Sequence, residues 1–467
     1  MKQRYFCLVL FLLCVSPAWA AEWVGNRFGV DVNVSARAED DRDLGTRKGG
    51  DIHGLSLDLR PWVYFGSGAW SGFVMAQAVS ATDGALPSVD FQDETRRSDS
   101  RTAKRNYLAL RELWVGYSGL SAYPGEALRL GRQRLRDDGS GLWRDTSIEA
   151  LAWNFDTTLL RAHLGVAERF SEYRSDIHDL AAEDKDRLHV FGDISRQWRP
   201  GHWLGFNFHH RRDHDKLKRP GETVDTLDKT RVGKLFWFGV HASSEAFTPR
   251  NDAALNYWTS AFWSGGERDR LTTATVGDHR IATGKRDDDV DAGWGVDLGL
   301  RWRFNAAGQV GIAYAHGNND FQQTGLESNR SAFTGTRARP HRLGEAFRGE
   351  LANLRVVSAF ASWQVRDEYD INAIWHRFQR ADGDQVIGGS AISAAMTNND
   401  KDVGQEFDFV LSRYFRNGLL PAAISQAFDE PSAVVRLRGG VFWPGHAYGR
   451  EVDSTMYRTT VDVMWRF

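Results

Sequence analysis

Cysteine is almost absent from this 467-residue chain, and its two copies, Cys7 and Cys14, both fall within the first twenty residues. The rest of the sequence therefore cannot form disulfides, zinc–thiolate sites or cysteine nucleophiles. No apolar run of about 18 residues follows these twenty, so no membrane-spanning helix is predicted. The 59 basic residues (Lys and Arg) nearly balance the 61 acidic ones (Asp and Glu), which indicates neither a nucleic-acid-binding protein nor an acidic tail.

The first twenty residues have the pattern of a secretory signal peptide. Two early basic residues precede an apolar stretch from Phe6 to Val15, and Ala18–Ala20 has the small-x-small form of a cleavage site. We therefore predict that residues 1–20 are a signal peptide that is removed. Residues 21–467 are then expected to form one secreted domain.

The sequence is rich in aromatic residues (18 Trp, 27 Phe and 12 Tyr) and in stretches where apolar and polar residues alternate. In 55–60, for example, three leucines alternate with Ser56, Asp58 and Arg60. Successive side chains of a strand face opposite sides, so a barrel in lipid alternates apolar outward and polar inward. We predict an all-β protein, a transmembrane antiparallel β-barrel of about 18 strands in the outer membrane of a Gram-negative bacterium. A soluble β-sandwich is the less favoured interpretation.

The predicted strands form an even number, as is usual in bacterial barrels. They begin near Phe28, Gly54, Trp70, Arg105, Ala127, Ser147, Leu159, Leu188, Trp203, Gly233, Ala253, Trp294, Gln309, Ala352, Tyr369, Gly404, Ala433 and Met456. In the fourth strand, Arg111 shares the parity of the apolar residues Leu113 and Val115. This conflict predicts a β-bulge in that strand.

Short and long connections interleave along the chain. The short ones are 66–68, 156–158, 199–201 and 305–308, and the long polar ones are 83–104, 169–187, 211–231, 264–293, 317–351 and 381–403. Because periplasmic turns are short and outer loops long in such barrels, both termini are predicted to be periplasmic. The periplasmic turn at 416–431 is an exception, since it is long and apolar. We hypothesise that it covers the lower pore mouth; the alternatives are a plain surface turn or a docking site for a partner.

Strand parity places more arginine than acid on the lumen side of the wall. The inward set is Arg60, Arg161, Arg301, Arg303, Arg436, Arg438, Arg458 and Arg466, with Asp31, Asp58, Asp297, Asp408 and Asp462. Part of this arginine is expected to be neutralised by internal salt bridges. The excess nevertheless favours an anionic cargo, because rings of arginine or lysine select anions.

Recognisable catalytic motifs are absent from the sequence, which has no Gly-x-Ser-x-Gly, P-loop or zinc-ligand spacing. His209, His210 and the 213–215 segment could supply an outer-membrane hydrolase site, but nothing sets them in catalytic order. No metal or cofactor site is therefore predicted. The acidic run Asp287–Asp289 with Asp291 could hold a calcium ion, although a solvated acidic loop is the simpler interpretation.

Specific strings throughout the chain resemble the alginate export family. They lie at 39–46, 57–62, 122–126, 130–136, 169–174, 184–187, 324–330, 344–351 and 453–456. The longer strings, such as Gly-Glu-Ala-Phe-Arg-Gly-Glu-Leu at 344–351, are very specific. Because the strings run in order along the whole chain, it is identified as a member of that family.

The resemblance implies an outer-membrane porin that exports the anionic polysaccharide alginate from the periplasm through an arginine-lined constriction. The implied constriction residues are Arg60, Arg111, Arg134, Arg339, Arg348 and Arg436, with Asp145 and Asp176 holding the arginines in place. One position departs from the family, which has a lysine on the first strand where this chain has Asn33. The resemblance also implies that the long second outer loop and the 416–431 turn occlude the two mouths.

The expected partners follow from this assignment. They are the alginate polymer (polymannuronate or polyguluronate), outer-membrane lipid and lipopolysaccharide, and a periplasmic alginate secretion machinery. No nucleic acid and no cofactor are expected, and the channel is expected to be a monomer. A general anion-preferring porin and an outer-membrane hydrolase are the alternative functions.

Overall fold

The computed structural model describes most of the chain after residue 26. The described residues are 27–46, 51–82, 105–136, 139–170, 173–176, 180, 182, 184–225, 228–249, 251, 253–366, 368–415, 433–452 and 454–467. The predicted signal peptide, the second outer loop at 83–104 and the 416–431 turn lie outside them. Within the described ranges, no helix has the length and apolar character needed to cross a membrane.

Antiparallel strands make up nearly all the regular structure of the described residues. Their bounds are β1 Arg27–Asp40, β2 Ile52–Ser67, β3 Trp70–Ala81, β4 Asn106–Tyr117, β5 Glu126–Leu135, β6 Thr146–Asp156, β7 Leu160–Glu168, β8 Arg187–Arg199, β9 His202–Asp213, β10 Arg231–Ser243, β11 Leu255–Val276, β12 His279–Asp287, β13 Val290–Arg303, β14 Gly308–Gly317, β15 Leu354–Val365, β16 Tyr369–Arg380, β17 Asp402–Phe415, β18 Ala433–Pro444 and β19 Met456–Arg466. One short 3-10 turn, His446–Tyr448, follows β18.

The sheet closes on itself, because β1 pairs with β19 on one side and with β2 on the other. Strand β12 pairs only with the far end of β11, whereas the nearer part of β11 pairs with β13. Of the nineteen strands, eighteen therefore form a closed barrel, and β12 is the return strand of a hairpin beyond it. This confirms the predicted fold class and strand number. The largest error in a predicted strand start is at the strand placed near Trp294, which begins at Val290.

The long polar connection predicted over 264–293 contains a hairpin that the sequence analysis did not predict, because β11 continues to Val276 and β12 returns from His279. The apolar alternation that identified the other strands is missing there. The hairpin lies beyond the barrel, so its two faces do not divide into a lipid side and a lumen side, and strict alternation is not required. Only a small apolar cluster, in which Leu271 and Ala282 contact Val224, is described on it.

The predicted bulge in the fourth strand is confirmed. Met75 and Ala76 of β3 pair with Glu112 and Leu110 of β4, so Arg111 is the extra residue. The bulge turns the Arg111 side chain into the interior, where it is buried. Arg111 therefore faces the interior, although it shares the parity of the outward residues Leu113 and Val115 in the sequence.

The interior of the barrel is polar and the exterior apolar, as alternation predicted. Most of the inward set is buried inside the wall: Asp58, Arg60, Asp297, Arg301, Asp408, Arg436, Arg438, Arg458 and Asp462. Of the remaining members, the exposed Arg161 stacks on the buried Trp203 at 4.0 Å, which places it on the lumen side too. Exposed apolar side chains such as Leu130 and Ile312 cover the outer face.

Candidate pore constriction

A long segment of the chain folds back into the lumen. This inner loop, residues 318–353, connects β14 to β15 and overlaps the stretch predicted as a long polar outer loop. Its lower tip is fixed to the wall, since Arg337 donates from N and Nε to Asp370 Oδ2 at 2.9 and 3.1 Å. Ser362 Oγ also donates to the carbonyl of Thr334 at 2.7 Å. The inner loop narrows the passage and brings its own arginines to it.

Two buried carboxylates on β17 hold the upper part of the inner loop. Glu406 accepts the backbone N–H groups of Ala346 at 2.7 Å and Phe347 at 2.9 Å. Asp408 accepts that of Glu345 at 3.0 Å. Buried backbone donors must find acceptors, so these acids position a segment that has no secondary structure of its own.

Three of the predicted site residues meet around one carboxylate. Asp145 Oδ1 accepts from Arg134 Nη2 at 2.9 Å, and Asp145 Oδ2 accepts from Arg339 Nη2 at 3.0 Å. Ser328 Oγ donates to the same Oδ2 at 2.9 Å. Burial raises the pKa of Asp145, but the two guanidinium groups outweigh it and leave this pKa below its ordinary value. The wall and the inner loop thus share one ion-pair bridge.

Arg60 and Arg111 lie near each other on the lumen side of β2 and β4, close enough for their charges to repel. Arg60 Nη2 is 2.7 Å from Asp58 Oδ2, and Gln77 Nε2 donates to Asp58 Oδ1 at 3.0 Å. Part of the charge of Arg60 is therefore offset within the wall, as expected of a salt-bridged lumen.

Arg436 lies on β18, where Nε donates to Ser412 Oγ at 3.0 Å and its backbone pairs with Asp462. Asn33, the position that departs from the family lysine, is buried in the same region. Its Nδ2 donates to Ser35 Oγ at 3.0 Å, and Ser35 donates onward to Asp462 at 2.7 Å. The uncharged side chains of Asn33 and Ser35, hydrogen-bonded in turn to the Asp462 carboxylate, thus occupy the expected place of a cation.

Asp176 pairs with Arg174 at 2.8 Å, and that guanidinium lies 3.6 Å from the Tyr107 ring. Arg348 Nε donates to the Glu345 carbonyl at 3.2 Å. Arg174 and Asp176 lie in the connection between β7 and β8, whereas Arg348 lies in the inner loop.

The structure contains a second ion cluster that the sequence did not predict. Glu345 is 3.0 Å from Arg330 Nη2 through one oxygen and 3.0 Å from Arg438 Nη1 through the other. Burial raises the pKa of Glu345, yet the two arginines lower it well below its usual value. Strand parity identified Arg438 as inward. Arg330 and Glu345 lie in an irregular loop, where no periodic signal exists.

A serine, a histidine and an aspartate lie close together in the wall, and such a set is what a hydrolase site would need. Ser358 Oγ is 2.7 Å from His376 Nδ1, and His376 Nε2 is 3.2 Å from Asp408 Oδ2. All three are buried beneath the inner loop, so no substrate can reach them. His209, the residue considered from sequence, is buried and lies 3.0 Å from His189. These groups are buried parts of the wall.

The acidic run considered for calcium is engaged with arginine. Asp288 lies 2.6 Å from Arg268, and Asp289 accepts the Arg268 backbone N–H at 2.7 Å. Two other groups of side chains bring possible metal ligands within 4.8 Å of one another: Glu168, Asp186 and His214, and Asp40, Asp41 and Asp51. Both groups are partly or fully exposed, and such groups are common without an ion.

Comparison with known proteins gives matches over nearly the whole chain. Residues 25–462 match the family model described as alginate export. The "Alginate production protein AlgE" of Pseudomonas aeruginosa is 54% identical over 99% of this chain and 97% of that protein. The protein of the same name from Pseudomonas syringae pv. tomato is 51% identical over 98% of this chain and 97% of that protein. Among solved structures, OccK9 (OpdG) of Pseudomonas aeruginosa superposes with a TM-score of 0.57 over 95% of this chain and 98% of that one, at 11% identity.

Proposed function

Since the chain belongs to the alginate export family, we propose that it is an outer-membrane channel that passes alginate out of the periplasm through an arginine-lined constriction. The family and the barrel are those of transport proteins, so the chain is a transporter and not an enzyme. The proposed constriction comprises Arg60, Arg111, Arg134, Arg339, Arg348 and Arg436, with Asp145 and Asp176 as positioning carboxylates.

The observation that carries this proposal is the bridge at Asp145. One carboxylate is shared by two arginines, so the group keeps a net positive charge. The side chains of Arg134 and Arg339 remain 32% and 18% exposed, whereas that of Asp145 is 1% exposed. The passage therefore meets guanidinium groups rather than the acid that holds them.

This charge arrangement suits a polymer with one carboxylate per sugar. Guanidinium groups bind carboxylates through paired hydrogen bonds, so each arginine lowers the cost of moving a uronate residue through the narrow part. Because the arginines are also held by acids of the wall, the attraction at each one is moderated, which lets the chain move on. The passage lies inside one barrel, which supports a monomer, and the periplasmic secretion machinery would deliver the polymer.

The proposal is tested with purified full-length protein in planar bilayers. Arg60→Glu and Arg436→Glu should reduce anion preference, measured as the reversal potential in a salt gradient, and should lower alginate secretion in cells. Arg219→Glu, an exposed outer-loop residue, is the charge-matched control. Assembly of each variant is verified by heat modifiability on gels.

Two results would contradict the proposal at different levels. An unchanged anion-to-cation ratio in correctly assembled Arg60→Glu and Arg436→Glu barrels would reject the arginine assignment. A wild-type pore that neither oligomannuronate nor oligoguluronate blocks would reject alginate export and favour a general anion-preferring porin.

A further inference from the structure

Arginine occurs in register across three strands at the outer end of the barrel. Arg231 of β10 pairs directly with Arg270 of β11, which pairs directly with Arg286 of β12. These three residues form the rim row. Directly paired residues share a face, their Cβ atoms lie roughly 5 Å apart, and like charges placed so are destabilising. The rim row therefore costs stability unless negative charge offsets it.

The described part of the chain supplies little of that negative charge. The side chains of Arg270 and Arg286 have no hydrogen-bond or ion-pair partner among the described residues. Arg231 Nε lies 3.4 Å from Asp288, but Asp288 lies closer, 2.6 Å, to Arg268. One carboxylate thus serves two arginines and leaves the rim row with excess positive charge.

Strand parity places the rim row on the lumen side of the wall. On β10, the residues that share the parity of Arg231 include Leu235 and Trp237, which are 2% and 1% exposed. The intervening Phe236 and Phe238 are 42% and 43% exposed on the lipid side. The pairing of β10 with β11 has no register shift, so the same parity holds up to Arg231.

The opposite face of the same strands carries balanced charge. Lys285 Nζ is 2.8 Å from Asp269 Oδ2, as expected of diagonal neighbours on one face. The other charged residues of that face are Lys234, Arg280, Glu267 and Asp287, so three positive and three negative side chains lie there. The excess of arginine is therefore specific to the side from which a transported chain would leave.

Two further arginines connect the rim row to the interior. Arg268 pairs with Gly233 on the lumen side, and Arg211 pairs with Leu235 one step further in. Both are buried, and they lie close enough for their charges to repel. Arginine thus occurs on the lumen side from the wall to its outer rim.

We infer that the rim row is an exit-side binding site for a linear polyuronate, which deepens the proposed function and rests on it. Neighbouring strands lie about 4.8 Å apart, a spacing on the order of one sugar residue along a polysaccharide. Successive carboxylates can therefore meet successive arginines, each through paired hydrogen bonds. A lipopolysaccharide phosphate is the less fitting ligand, because it would approach from the lipid side, where the charge is balanced.

The test uses full-length protein in planar bilayers, with oligomannuronate of defined length added to one side at a time. Arg270→Gln/Arg286→Gln removes the two arginines that have no partner among the described residues. Lys234→Gln/Lys285→Gln removes the same charge from the lipid-side face and is the matched control. The loss of two carboxylate contacts should shorten blocks from the outer side by roughly tenfold or more. The control variant should show the same block durations as the wild type.

The outcomes separate this inference from the proposed function. If oligomannuronate added on the outer side blocks the arginine double variant for as long as it blocks the wild type, the rim site alone is overturned. If the double variant instead loses binding to vesicles containing lipopolysaccharide, with oligouronate block unchanged, the row is a lipid contact and the inference is wrong. A wild-type channel without any block would reject alginate export itself, and the rim site with it.

Discussion

Asp145 sets how much positive charge Arg134 and Arg339 present to the lumen. It joins the wall to the inner loop and is the only acid that either guanidinium contacts among the ion pairs of the described residues. A carboxylate in this position has two opposing effects. It fixes both arginines in place, and it cancels half of their charge.

We predict that Asp145→Asn makes the channel more anion-selective, since the amide keeps the size of the side chain but not its charge. Reversal potentials in a salt gradient should shift towards the chloride potential, and oligomannuronate blocks should last longer. Asp31→Asn, which breaks the exposed pair with Arg466 at the periplasmic end, is the control. Equal selectivity in both variants would contradict a role of Asp145 in tuning the passage.

The pH dependence of this bridge has a defined sign. Despite its burial, the two arginines hold the pKa of Asp145 below the 3.8 of an unperturbed aspartate. A depressed pKa stabilises the folded state above the unfolded pKa of about 3.9, and this stabilisation is lost as the pH falls through the folded pKa. The stability difference between wild type and Asp145→Asn should therefore stay constant from neutral pH down to about pH 5 and shrink only below about pH 4. Urea unfolding in detergent measures it; a difference already shrinking between pH 7 and 5 would be inconsistent with this pKa.

At the scale of residues, the sequence predicts those that lie on regular strands. Arg60 and Arg436 follow from parity alone. Arg111 could be placed inward only because the parity that it shares with Leu113 was interpreted as a bulge. The pairing of β3 with β4 shows that bulge. Arg330 and Glu345 could not be found this way, because irregular loops have no period and their partners are distant in sequence.

At the scale of elements, the inner loop is the part of the molecule that most affects the lumen. Its polarity led to the prediction of an outer loop, because a segment lying against a polar lumen has the same composition as one in water. A loop inside the lumen differs from an outer loop in its burial. Phe333 and Leu343, which are fully buried in the inner loop, are the apolar residues that conflict with an outer position.

We predict that Gly344→Ala loosens the upper part of the inner loop. Gly344 has a φ of 85°, and a Cβ there would lie 2.5 Å from Glu406 Oε2. The clash should displace the backbone donors that Glu406 binds, giving a larger and noisier single-channel conductance. Gly325→Ala is the matched control, since its φ of 91° is similar but its nearest contact is 3.9 Å away, at Arg211. If both variants conduct like the wild type, the acids of β17 do not hold the loop in place.

At the scale of the whole molecule, the barrel still needs a barrier on its periplasmic side. We propose that 416–431, which lies outside the described residues, provides it, because Leu419, Leu420, Ile424 and Phe428 are too apolar to be left in water. Deleting the segment should raise conductance and antibiotic entry while the barrel still assembles. A glycine–serine replacement of equal length separates lost apolar contact from a shortened turn. Unchanged conductance in both variants would favour a docking site for the secretion machinery.

The attachment points of the inner loop have a consequence for how the protein is built. Five of them lie on β13 and on β15 to β18, in the second half of the chain: Asp297 on β13, Ser362 on β15, Asp370 on β16, Glu406 on β17 and Arg438 on β18. The bridge at Asp145 lies in the first half. The loop can therefore dock on this curved half-sheet while β1 and β19 are still apart. Closure of the seam then encloses a loop that is already folded, and biogenesis requires no threading of a charged segment through a finished pore.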